Sequence, residues 1–118
     1  ATDLDAADLL VTRPNLAPDL WRGAVPRLSR HFRPSLAYRL ALVAEGRFDG
    51  MLTLRDAWVW DVAAGALIAA EAGAVVTDRE GRAMRFDGPD RKTAGVLAAP
   101  PALHAETLSR LAPGARIP

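Results

Sequence analysis

The sequence predicts an α/β domain, a layered sheet with helices packed on it. Three observations carry that class. Short apolar runs of strand length recur along the chain, segments of helical periodicity separate them, and glycine or proline stands at most of the junctions. With 118 residues, half of them hydrophobic and a quarter charged, the chain has the size and composition of one folded domain with a real core.

Leu9, Leu10 and Val11, followed by Thr12 and Arg13 and stopped by Pro14, read as a buried strand over residues 9–13. Residues 15–21 read as a short helix with Pro18 in its first turn, broken by Gly23 and Pro26. Residues 27–33 alternate weakly and are read as a second strand. The clearest helix covers residues 35–45. Its apolar positions Leu36, Ala37, Leu40, Ala41, Val43 and Ala44 keep to one face, with Ser35 as N-cap and Gly46 just past the end.

Residues 48–54 read as a strand in which Gly50 weakens the element or marks a close approach. A connector over 55–59 leads into a helix at 60–72, which Gly73 ends, and Val75, Val76 and Thr77 form the next strand. Residues 78–81 are a turn, 83–86 a returning hairpin arm and 87–92 a polar loop. Residues 94–99 read as a buried strand, and Pro100 and Pro101 open a last helix that runs to Leu111. The tail from Ala112, with Pro113, Gly114 and Pro118, reads as loose. No internal repeat or low-complexity segment interrupts this order.

Composition removes several function classes. The net charge of +1 and the scattered arginines argue against a nucleic-acid polymer as partner. Without cysteine there is no disulfide, thiol nucleophile or thiolate metal site, which fits a reducing, cytoplasmic setting. No apolar run approaches the roughly 18 residues that would span a membrane. The glycine-rich phosphate loop, the dinucleotide fingerprint and the nucleophile elbow all lack their residues. His31 and His104 stand isolated and are read as surface or interface residues rather than metal ligands. Trp21, Trp58 and Trp60 are read as core or interface anchors rather than a stacking platform.

Asp61 stands in the most constrained setting of any ionisable group, at the head of the alanine- and glycine-rich helix. Two readings are open from spacing alone. An aspartate at a helix start is the ordinary N-cap. A helix N-terminus also attracts anions such as phosphate, and a carboxylate there suits Mg²⁺, which favours one or two carboxylates plus phosphate oxygens. The small residues Ala63, Ala64 and Gly65 would let a ligand approach the backbone.

These residues carry a resemblance. Trp60-Asp61-Val62-Ala63-Ala64-Gly65, then Glu71-Ala72-Gly73 and Thr77-Asp78 with Gly81, resemble the C-terminal signature of the inositol monophosphatase family of Mg²⁺-dependent, lithium-sensitive phosphomonoesterases. Ser35-Leu36-Ala37-Tyr38 and Leu42-Val43-Ala44-Glu45-Gly46 fit upstream, and the interval from Gly46 to Asp61 is most similar to the bacterial 3′(2′),5′-bisphosphate nucleotidase branch. The resemblance implies a Mg²⁺ cofactor with Asp61 as a ligand that also lies against the substrate phosphate. It implies substrate contacts from Thr12 and Arg13, which match a Ser-Arg segment, and from Ser35, where Pro34 replaces the family's usual glycine. Arg55 and Asp56 match the segment that tunes substrate choice.

The family's first metal-binding glutamate and its DPxDGT-type segment are absent from these residues. The expectation is therefore the C-terminal domain of a longer two-domain phosphatase. Its partners would be the missing N-terminal domain, a small phosphorylated substrate and a second copy in a homodimer. The substrate would be an inositol phosphate or a bisphosphate nucleotide, and the 118 residues alone would be inactive. The face left by the missing domain would be apolar. The alternatives are a non-catalytic interaction module or an anion-binding domain in which Asp61 is only a cap.

Overall fold

A computed structural model describes residues 3–84, 86 and 91–118. A mixed five-stranded sheet runs through the middle of the molecule. Its strands are β1 (Asp8–Leu10), β2 (Ser29–His31), β3 (Gly50–Thr53), β5 (Val75–Thr77) and β7 (Val96–Ala99), in the order β2-β1-β3-β7-β5. β1 pairs in parallel with β2 and β3, while β7 pairs antiparallel with β3 and β5. The three central strands are buried along nearly their whole length, as their continuous apolar runs require.

Alternation along these strands divides the core in two. Leu9, Val11, Leu52, Leu54, Leu97 and Ala99 point to one face, where they meet Leu4, Trp21, Leu103 and Leu111. Leu10, Met51, Val96 and Ala98 point to the other, where they meet Leu40, Leu42, Val43, Val62, Ala66 and Ala69. The second face is covered by two mutually packed helices, α1 (Leu36–Ala44) and α2 (Val59–Glu71); the first by α3 (Pro101–Arg110), short 3₁₀ turns and the C-terminal tail. The layered α/β class read from the sequence is the class observed.

Glycine works by absence of a side chain at two contacts. A Cβ at Gly50 would lie 2.8 Å from the Ala98 carbonyl oxygen, so this glycine does mark a close approach between strands. A Cβ at Gly65 would lie 2.9 Å from the Leu40 side chain. Gly65 therefore lets α1 and α2 approach each other, rather than opening space for a ligand as its position beside Asp61 suggested.

Several local expectations are corrected by tertiary contacts. Residues 15–21 form no α-helix; two 3₁₀ turns, Arg13–Leu16 and Pro18–Leu20, take their place. Pro18 has no N–H to continue an α-helical ladder, so the chain restarts there. The connector before α2 contains a strand, β4 (Ala57–Trp58), paired antiparallel with β6 (Lys92–Thr93), the last residue of the expected polar loop and the one after it. The hairpin arm reduces among the described residues to a single bridge, Thr77 to Ala83, and residues 85 and 87–90 of the expected arm and loop lie outside them. The tail is not loose. Ala112 N–H donates to Leu20 O at 2.9 Å and Ile117 N–H to Leu54 O at 3.1 Å. No helix among the described residues is long and apolar enough to cross a membrane.

Candidate functional site

A cleft of about 470 Å³ opens where the C-terminal end of β3, the strand β4 and the first turn of α2 meet. Thr12, Arg55 and Asp61, three of the residues singled out in the sequence, line it together. Arg13 and Ser35 are exposed and do not line it, although their neighbours Pro14 and Leu36 do.

Asp61 is the third residue of α2, not its N-cap. The cap position belongs to Trp58, which makes no side-chain capping bond. The helix starts early because β4 delivers the chain to Val59, whose N–H donates to the Arg91 carbonyl at 3.0 Å. That long-range bond satisfies one of the first-turn donors that a capping side chain would otherwise serve. Asp61 is left exposed in the first turn, where the helix dipole favours its negative charge. Among the described residues its carboxylate has no ion-pair partner within 4.0 Å.

Ser35 is the N-cap of α1, accepting a long 3.4 Å bond from Tyr38 N–H. Its φ of 71° lies in the left-handed region that favours glycine. Serine there is strained.

Arg55 reaches the cleft with its guanidinium uncommitted to any carboxylate among the described residues. The other charged walls are engaged. Asp56 receives Arg79 Nη1 at 2.6 Å and Arg116 Nη2 at 3.5 Å. Arg39 donates from Nε to the Arg33 carbonyl at 2.7 Å, and burial holds its guanidinium below the usual arginine value.

Asn15, which the sequence analysis did not single out, holds the floor. It is 2% exposed, donates from Nδ2 to Thr12 Oγ1 at 2.7 Å and accepts from Leu54 N–H at 2.8 Å. One side chain thus ties the end of the first strand to the end of the third. A lone asparagine between two prolines gives no sign of such a partner 39 positions away.

The tryptophans and histidines divide. Trp21 is a core residue, but Trp58 and Trp60 are 43% and 63% exposed. Their rings stack at 4.8 Å with 10° between planes, and Lys92 Nζ lies 4.6 Å from the Trp58 centroid. His31 is partly exposed against Asp8, as a surface residue would be. His104 is not at the surface: it is buried, its Nε2 lies 2.7 Å from Thr77 Oγ1, and burial pushes its imidazole below the usual value. The Thr77 hydroxyl donates to Asp78 O, which leaves His104 Nε2–H as the donor to Thr77 Oγ1.

As a magnesium site the arrangement is incomplete. Asp61 suits one ligand position of a hard cation. Among the described residues the one group of three acids close enough to share an ion is Asp3, Asp5 and Glu106, at α3. Those acids are already engaged: Asp3 accepts from Asp5 N–H, Asp5 from Arg27 N–H and Arg110, and Glu106 from Leu4 N–H. This chain alone does not build the cation site around Asp61.

A mixed α/β layer structure thus brings an arginine and a first-turn helix carboxylate, neither ion-paired among the described residues, into one cleft. Its relatives are specific. The profile of the inositol monophosphatase family matches residues 4–114, and the chain belongs to that family. It is 42% identical over 69 residues to the putative Nus factor SuhB of Neisseria meningitidis serogroup B, covering 58% of this chain and 24% of that protein. It is 53% identical over 47 residues to the inositol-1-monophosphatase of Rhizobium meliloti, covering 40% and 17%. The solved structure of the extragenic suppressor protein suhB from Bartonella henselae superposes with a TM-score of 0.69 at 25% identity, covering 92% of this chain and 43% of that one. The chain thus spans less than half the length of these relatives.

Proposed function

We propose that this chain supplies one side of the active site of a Mg²⁺-dependent phosphomonoesterase, the remaining metal ligands coming from protein outside these residues. The observation that carries the reading is the convergence of Arg55 and Asp61, both without an ion-pair partner among the described residues, on one cleft at the start of α2. Arg55 attracts the substrate phosphate, the positive end of α2 favours the same anion, and Thr12 offers a hydroxyl. Asp61 supplies one carboxylate to the metal. A magnesium ion held by Asp61 and by ligands from outside these residues would supply polarisation of the phosphate and activation of a water.

Inositol phosphate and bisphosphate nucleotide are the two substrate classes. The name of the Rhizobium relative supports the first, and the Gly46-to-Asp61 interval supports the second. The apolar side chains that α2 exposes, Trp60, Leu67 and Ile68, are the proposed seat of the rest of the protein. A homodimer, inhibition by Li⁺ and a cytoplasmic setting complete the proposal. The deciding experiment measures hydrolysis of both substrate classes by the full-length protein, with and without Mg²⁺ and Li⁺. Loss of activity in Asp61→Asn with folding intact is the expected result; wild-type rates in that variant would remove the metal role.

The 118 residues alone should turn over no phosphomonoester, since they hold one ligand of the site. That same incompleteness favours a second reading, an anion-binding module without catalysis. Full-length protein that binds inorganic phosphate but hydrolyses neither substrate class would establish it.

A further inference from the structure

The match to the family ends at residue 114, yet the chain beyond it helps build the cleft. Ile117 packs on the core cluster that contains Leu54 and also lines the cleft. Its N–H donates to Leu54 O at 3.1 Å, and it forms a parallel bridge with Arg55. One residue earlier, Arg116 Nη2 lies 3.5 Å from Asp56 Oδ2. The tail therefore touches two consecutive residues of the cleft wall, one through the backbone and one through charge. The Ala112–Leu20 hydrogen bond pins its other end. A tail docked only for stability would bury Ile117 in the core; here the side chain is half-buried and its remainder faces the site.

The polar lining is largely spent. Asn15 is committed to Thr12 and Leu54, Arg39 to the Arg33 carbonyl and Asp56 to two arginines. On the phosphatase reading, Arg55 and Asp61 serve phosphate and metal. What remains for the alcohol portion of a phosphate ester is mainly apolar, Pro14, Leu36, Ala57, Trp58 and Ile117, with the Thr53 hydroxyl, which accepts from Arg55 N–H at 3.4 Å, beside them. Hydroxyls buried against such a wall lose water without gaining partners, a cost that a flat and weakly hydrated ring does not incur.

We propose that Ile117 is a specificity-determining residue of the cleft, part of an apolar wall that favours a phosphate ester of a nucleoside over one of a polyhydroxylated ring. This rests on the phosphatase reading for its substrates, but not for its geometry. In the full-length protein, Ile117→Ala should raise KM for adenosine 3′,5′-bisphosphate by roughly 5-fold or more with kcat within about twofold, the size expected for lost apolar contact. KM for inositol 1-phosphate and Ki for inorganic phosphate should stay unchanged, and Ile117→Leu should restore the nucleotide KM. An unchanged nucleotide KM, or a parallel shift in all three constants, would overturn the assignment.

If the wild-type protein hydrolyses neither ester, the phosphatase reading fails and the wall is read by binding alone. Titration of adenosine 3′,5′-bisphosphate against tryptophan fluorescence should then show weaker binding in Ile117→Ala than in wild type. Equal binding, or no binding in either, would overturn the wall. Thermal unfolding of each variant separates both results from a folding defect, and Ile117→Leu keeps the test open if alanine destabilises the tail.

Discussion

The two faces of the sheet are finished differently. On one face α3 exposes only Pro101, Ala102, Ala105 and Ser109, none of them a large apolar side chain. Its edge is closed by Arg110 between Asp5 and Glu106. On the other face α2 exposes Trp60 and Leu67 at 63% each and Ile68 at 53%, while α1 adds Tyr38 at 48%. A helix that is apolar on its buried side and on its outer side needs cover on both. The α3 face is a completed surface; the α1–α2 face keeps large apolar side chains exposed. The cleft opens beside those side chains, so the side with the exposed apolar surface is also the side that carries Asp61.

The sharpest way to break this comparison is to change one acid on each face. In the full-length protein Asp61→Asn should lower the phosphatase rate by about 100-fold or more, as loss of a metal ligand does. Asp5→Asn, on the completed face, should leave that rate unchanged in the same assay. Its cost should appear as stability, because the Arg27 N–H and the Arg110 guanidinium hold the Asp5 carboxyl below its usual range. That contribution is present above about pH 4 and is lost as pH falls through the lowered value.

Packing gives the next effect. Gly65→Ala forces a methyl into the Leu40 side chain and should cost about 1–3 kcal/mol in a urea titration. Ala105→Ser, on the exposed side of α3, should cost far less. For the outer surface, Leu67→Lys with Ile68→Lys should weaken self-association of the 118-residue chain by roughly tenfold in sedimentation. Lysines at Ala102 and Ala105 should change nothing in that measurement.

The smallest effect is on pH dependence. Burial lowers the His104 pKa from 6.5, so the unfolded chain takes up its proton first as pH falls. Stability from this group is complete above about 6.5 and declines as pH drops toward the lowered value. Denaturant midpoints at about pH 7.5 and 5.5 should therefore lie closer together in His104→Gln than in wild type.

Much of the fold was legible because local signals and tertiary structure agree. The helix read at 35–45 is α1 within a residue at either end, and Val75–Thr77 is β5 as read. The strand read at 9–13 is observed as Asp8–Leu10, and the one read at 94–99 begins two residues later, at Val96. Failure came where a partner lies far away in the chain. Residues 57–58 have no strand pattern of their own and become β4 only because Lys92 and Thr93 run beside them. The tail, rich in proline and glycine, reads as loose by composition, and Leu20 and Leu54 hold it.

The site divides along the same line. Asp61, Arg55 and Thr12 were identifiable from residue type and motif, and the cleft contains all three. Asn15, Arg39 and Ile117 were not, because nothing local marks an asparagine that bonds across 39 positions or an isoleucine that crosses back to Arg55. The sequence by itself determined the layered α/β class and placed an acid in the first turn of the alanine-rich helix, since periodicity and helix-terminal chemistry act over a few residues. Only the tertiary structure decided that this acid is not the cap, because the capping role passed to a backbone bond from Val59 to Arg91. It also decided which side of the sheet keeps large apolar side chains exposed, because exposure depends on which elements pack together.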